Sequence, residues 1–253
     1  ADFYPGVLEM LQGNAQTWGV PRALRLQLIY YNQFLFDQAG IAYPAPGWTW
    51  DDFLSTAKAL TQAQADGNMR WGFTENWPSQ FGLLRALDAQ LLAADVAGLT
   101  TPESQAAVQW YVDLVKTHKV MPVPAIYADF AQSSGPDAGS NPWADAAMFA
   151  GVANGVGSDS QGLAARIGVA PFPVGTNART TPLEQAIDAL VMSAATQHPE
   201  ESWRWLVVAS RTAGYAERWV PARRTRFEAS ASLAGVDSGV HSVYQYALEH
   251  LAP

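Results

Sequence analysis

An α/β fold is what this sequence predicts, and three observations carry it. From Leu24 to Tyr31 the side chains alternate as in a strand, with Leu24, Leu26, Leu28 and Tyr30 on one face. Arg25, Gln27, Ile29 and Tyr31 take the other. After a proline-punctuated loop from Tyr43 to Gly47, a helix opens at Thr49, with Asp52 three residues on as in a capping box. Strand-like and helix-like stretches then keep alternating along the chain.

Gly13-Asn14 forms a turn between two apolar segments, and Trp18-Gly19-Val20-Pro21 leads into the strand at Leu24. A short amphipathic piece with Phe34, Leu35 and Ala39 stops at Gly40, a residue that takes the left-handed helix-ending conformation cheaply. Trp48 and Phe53 occupy the two positions of a hydrophobic staple; Trp50, Phe53, Leu54, Ala57 and Leu60 share one helical face. Arg70 to Phe73 reads as a short strand, followed by a helix carrying Leu83, Leu84, Leu87 and Leu91. Thr101-Pro102-Glu103 starts another helix, with Ala107, Trp110, Tyr111, Leu114 and Val115 as its buried stripe. Met121 to Pro142 has no period and reads as a loop. Ile167–Ala170 and Ala186–Ser193 are predicted strands. His198-Pro199-Glu200-Glu201 opens a helix through Ser210, its carboxylates where the helix dipole favours them.

The 253 residues suffice for a sizeable core in one or two domains. With 49% hydrophobic and 15% charged residues the chain is globular, and it has no apolar run of membrane-spanning length. A net charge of -8 argues against tracking nucleic-acid phosphates, which needs a basic face. There is no cysteine, which excludes disulfides, thiolate catalysis and cysteine zinc sites. The ten tryptophans are read either as core packing or as stacking platforms for sugar rings.

YYNQFLFDQAGI, then a proline, then TWDDFLSTAKALT resembles a signature of the bacterial extracellular solute-binding proteins, sugar-binding family, the maltose-binding-protein-like receptors of ABC importers. Further similarity lies in APFPVG (170–175), HPEESWRWLVVAS (198–210) and VPARRT (220–225). The resemblance implies a periplasmic-binding-protein type II fold, with two α/β lobes and a hinge. It covers the middle and later part of that fold, so a piece cut at both ends, with its first lobe incomplete, is expected. The implied division is 1–23, the end of the N-terminal lobe and first crossing; 24–170, the second lobe; 171–220, the return to the first; and 221–253, the crossing back and the start of C-terminal helices.

The resemblance also implies site residues. In the family the Glu75-Asn76-Trp77 position carries an acidic residue and an aromatic that contact sugar, through hydroxyl hydrogen bonds and stacking. The alternative for Trp77 is packing against the next helix. Trp18 and Arg22 flank the first crossing, where the cleft is expected; Arg22 is also readable as a surface arginine. Trp143 faces either the cleft or the core. Glu184 and Gln185 replace a Gly-Gly of the family pattern and become candidate contacts specific to this chain. Phe149 to Asn154 lacks a stacking tryptophan found there in the family, which departs from a maltose-like mode. Arg223 sits in the only basic cluster (Arg218, Arg223, Arg224, Arg226), either as solvated surface or as a ligand or transporter contact.

Catalytic motifs are absent. Asp51-Asp52 and Glu200-Glu201 are adjacent pairs at helix starts, so their carboxylates point apart and serve the caps rather than a glycosidase dyad. The four histidines are scattered without metal-ligand spacing. No nucleophile elbow appears, and Gly151 to Gly162 lacks a phosphate-cradle spacing. The expectation is a non-enzymatic receptor that captures a carbohydrate or related polar solute, needs no cofactor or metal, and delivers to ABC permease subunits. It is expected outside the cytoplasm, as a monomer with no transmembrane segment of its own and without its signal segment, and without a nucleic-acid partner. The alternatives are a ligand-sensing ectodomain partner and a carbohydrate-active enzyme.

Overall fold

The computed structural model describes residues 2–65, 67–75, 101–123, 146–152, 166–174, 183–211, 220–227 and 238–251. The predicted helix at Leu83–Leu91 and the stretch from Pro124 to Pro142 lie outside them. Elements come in the order α1 (Pro5–Glu9), β1 (Gln12–Gly13), β2 (Gln16–Thr17), β3 (Val20–Asn32), α2 (Gln33–Ala39), α3 (Trp50–Leu60), β4 (Gln62–Ala63) and β5 (Met69–Glu75). There follow α4 (Pro102–Lys116), β6 (Ala146–Val152), β7 (Ile167–Ala170), β8 (Leu183–Leu190), α5 (Pro199–Ala209), β9 (Val220–Pro221), α6 (Arg224–Phe227) and α7 (Ser238–Glu249).

Strand β3 organises the molecule. Its first half pairs antiparallel with β8 (Val20 opposite Leu190, Leu24 opposite Ile187) and with β9. Its second half pairs antiparallel with β6 (Tyr30 opposite Phe149) and β7 (Tyr31 opposite Gly168). β6 then runs parallel to β5, and β4 borders β5. The strand starts at Val20, four residues ahead of the sequence expectation, because β8 supplies partners that no local pattern announces. Register shifts between Pro21 and Ala23 accommodate the proline, which has no N–H for the ladder. β8 is displaced too: it spans Leu183–Leu190 rather than Ala186–Ser193, leaving Val191 and Met192 exposed beyond its end.

The predicted alternation of β3 divides the core in two. Leu24, Leu26, Leu28 and Tyr30 enter one cluster with Val169, Phe227, Tyr244 and Leu248, covered by α1 and α7. Ile29 and Tyr31 enter the other with Phe36, Phe53, Phe73, Leu114 and Phe172, covered by α2, α3 and α4. Each fully buried leucine contributes on the order of 2 kcal/mol by leaving water.

The helices around the second cluster begin where the sequence says. Asn32 Oδ1 caps α2, accepting from the N–H groups of Phe34 and Leu35; Gly40 ends it at φ 65°. The capping box of α3 is complete: Asp52 N–H donates to Thr49 Oγ1 at 3.2 Å and Thr49 N–H to Asp52 Oδ2 at 2.8 Å. The staple rings of Trp48 and Phe53 lie 5.7 Å apart, edge to face. Trp48 also donates from Nε1 to the Pro171 carbonyl at 2.9 Å and accepts from Val174 N–H at 2.7 Å, tying the start of α3 to the chain after β7. Gly72 of β5 is required by close approach: a Cβ there would lie 1.9 Å from the Ala57 carbonyl oxygen of α3.

Candidate functional site

The hairpin β1–β2 places Trp18. Asn14 and Ala15 both have positive φ, the geometry of a two-residue hairpin turn, so the predicted turn at Gly13-Asn14 is present. Beyond it Trp18 N–H donates to the Leu11 carbonyl at 2.8 Å and its indole Nε1 to the Gly13 carbonyl at 3.1 Å. The indole donor is thereby used and the exposed ring faces remain.

That ring borders a cavity of about 660 Å³ beside the start of β3. Phe3 and Leu8 line it from the N-terminal segment, Gln16 to Pro21 from the hairpin and strand entry, and Leu190 and Met192 from the end of β8. Trp203, Leu206 and Val207 of α5 close a further side, with Arg223 at the margin. The lining is mainly apolar, with two indoles able to stack on a planar or ring-shaped group.

Among the described residues, the two guanidinium groups beside this cavity, those of Arg22 and Arg223, are already paired. Arg223 is buried, and its Nη1 donates to Asp2 Oδ2 at 2.8 Å while Nη2 donates to Ser210 Oγ at 2.8 Å. Its guanidinium carbon stands 4.3 Å from the centre of the Phe3 ring. Burial pushes the Asp2 carboxyl up, but hydrogen bonds from Arg223 and Thr225 outweigh it and hold the group below its ordinary 3.8. Arg22 donates from Nε to Asp188 Oδ2 at 2.6 Å, pinning the strand entry to β8. Among the described residues no group of three or more His, Asp or Glu side chains is placed to hold a metal ion.

Of the eight residues the sequence singles out, the structure brings Trp18 and Arg223 to one cavity and sets Arg22 beside it in an ion pair. Glu75 ends β5, its backbone opposite Ala150 of β6. Glu184 and Gln185 lie within β8, next to Leu183, which opposes Leu26. Trp77 and Trp143 fall outside the described residues. Sequence reasoning missed Trp203 and Met192. The signal for Trp203 was a helix carrying Trp203, Trp205, Val207 and Val208 on several faces, too apolar for a one-sided surface helix.

Residues 1–216 match the family model described as bacterial extracellular solute-binding protein. The chain belongs to that family. A protein of Brucella abortus (strain 2308), described as a binding protein, is 26% identical over 208 residues, which is 80% of this chain and 47% of that one. The sugar-binding protein MalE from Xanthomonas citri superposes with a TM-score of 0.71 at 19% identity, over 99% of this chain and 63% of its own. An ABC substrate-binding protein from Listeria monocytogenes, solved in complex with cycloalternan, gives 0.65 at 18% identity, over 99% and 64%.

The chain thus has the two-lobed type II fold of extracellular solute-binding proteins, in part. It spans about half the length of the curated relative and less than two thirds of either of these solved structures. No helix among the described residues is long and apolar enough to cross a membrane.

Proposed function

We propose that the chain is the solute-capturing part of an ABC importer's extracytoplasmic receptor. It takes a carbohydrate or related polar solute between two lobes and presents it to the permease subunits. The observation that carries this reading is the family match across residues 1–216. The two structures named above add support, one being a sugar-binding protein and the other holding an oligosaccharide. Residues 24–170 form the second lobe and 171–220 the return to the first, with β3 running through the hinge. Closure about that hinge is a population shift, driven only by contacts that the closed form makes better than the open one.

Trp18 offers the stacking face, and Glu75, Trp77, Trp143, Glu184 and Gln185 are the further contacts we assign. Arg22 and Arg223 flank the site as framework, since both guanidiniums are held by carboxylates of the chain. The protein works as a non-enzymatic monomer outside the cytoplasm.

A thermal-shift screen against mono- and oligosaccharides tests this. It is run on the 253-residue chain and on the product of its gene read through to its natural ends. A ligand at a hundred times its Kd adds about 2.7 kcal/mol to the native state. For a protein of this size that is a rise of roughly 5–10 °C. One carbohydrate is expected to raise the melting temperature of the gene product, with little or no rise for the chain alone. No rise with any carbohydrate in either protein would remove the sugar from the reading.

A further inference from the structure

Four polar side chains are buried among the described residues: Gln27, Ser104, Ser210 and Arg223. Three of them are paired. Thr101 Oγ1 donates to Ser104 Oγ at 2.9 Å, and Arg223 Nη2 to Ser210 Oγ at 2.8 Å. Gln27 is the exception. It is 1% exposed, and its Oε1 has no hydrogen-bond partner among the described residues. Trp50 Nε1 and Arg70 Nε share that state, but on side chains that keep part of their surface in water. An amide left unpaired in the interior is costly, and a leucine of similar size would avoid the cost.

The place of Gln27 in the sheet is equally distinctive. β3 leaves β8 at Leu26, opposite Leu183, and joins β6 at Gln27, opposite Val152. Val152 is the last residue of β6 and Glu75 the last of β5; the two strands run parallel, with Glu75 opposite Ala150. Gln27 therefore stands at the carboxyl ends of the parallel strands, two strand spacings, roughly 10 Å, across the sheet from the end of β5. Beyond such ends an α/β sheet binds its ligands. Further along β3 the same face is core, carrying Ile29 and Tyr31.

We propose that Gln27 is a solute contact of the receptor, its side-chain amide pairing with a hydroxyl beside the end of β5. This rests on the receptor reading and narrows it to a neutral, hydroxylated solute. The amide carries no charge to draw an anion, and the guanidiniums of Arg22 and Arg223 are already held by Asp188 and Asp2. Turned either way, the amide suits a hydroxyl, which both donates and accepts. An ionised phosphate oxygen only accepts, and would leave Oε1 unpaired.

Gln27→Leu keeps the size and removes the amide. The gene product at its natural ends is compared with this variant by melting temperature without solute, and by calorimetric Kd. The probes are a panel of mono- and oligosaccharides, D-mannitol and inorganic phosphate. Without solute, the variant is expected to melt at the natural protein's temperature or higher. The carbohydrate or polyol that the natural protein takes should bind the variant about tenfold or more weakly, and phosphate should bind neither. A variant that melts lower, or does not fold, would show the amide held by the chain or by an ordered water, and overturn the assignment. Equal affinities would overturn it and leave the receptor reading standing. Phosphate taken in place of every hydroxylated probe would contradict the neutral class. A natural protein that binds no probe would remove the carbohydrate reading, and this contact with it.

Discussion

Arg223 and Asp2 sit 221 positions apart in sequence and close the molecule at its most local scale. The guanidinium also grips Ser210, and Asp2 accepts from Thr225 Oγ1 at 2.9 Å, so one cluster joins the N-terminal segment, the end of α5 and the start of α6. Arg223→Ala should lower stability by roughly 1–3 kcal/mol, because it leaves Asp2 and Ser210 without their charged partner. Chemical denaturation reads that loss; Arg223→Lys should recover part of it, having one point donor where Arg has a fork. A ligand contact would behave differently: stability would hold and binding alone would fall. The depressed folded pKa of Asp2 means the cluster stabilises above about 3.8 and loses that contribution as pH drops through the folded value. An acid-unfolding midpoint that Arg223→Ala leaves unmoved would contradict this. None of these partners was legible in the sequence. Arg223 was singled out by family resemblance, and Arg22 by its place at the crossing, while Asp2 and Asp188 carried no mark. Long-range charge pairs leave no local period.

At the scale of elements the sequence was most legible where structure is fixed by near neighbours. The Thr49–Asp52 box, the Trp48–Phe53 staple and the Gly40 stop are local chemistry, and all three are in place. The edges of β3 and β8 were less legible, since each strand ends where the other ceases to offer partners. Gly72 shows the same limit: its sequence context is a plain strand, and only the approach of α3 makes it obligatory. Gly72→Ala should cost at least the 1–3 kcal/mol typical of an overpacked core, read as a lower melting temperature, while Gly47→Ala is strained only by its positive φ. Helix α7 carries a second element-scale consequence. Burial raises the Tyr244 hydroxyl to about 12, despite a hydrogen bond with Tyr30 that works the other way. The folded pKa exceeds the unfolded value of 10, so this burial is harmless below pH 10 and destabilises progressively as pH climbs toward 12. The loss is on the order of 2 kcal/mol at pH 12. Tyr244→Phe should flatten that alkaline slope; an unchanged slope would show that another group sets it.

For the whole molecule, β3 is the common member. It lends one half to β8 and β9 and the other to β6 and β7, and its two faces feed separate cores. Leu28→Ala, removing a fully buried side chain midway along the strand, should therefore cost about 2–5 kcal/mol and lower the unfolding midpoint of the entire chain in one transition. A strand shared in this way is also where two halves can pivot. Small-angle X-ray scattering from the gene product at its natural ends, across a panel of mono- and oligosaccharides, asks directly whether they do. The account predicts that one carbohydrate lowers the radius of gyration saturably, as the lobes close about it. A radius unchanged by every carbohydrate in the panel would contradict it.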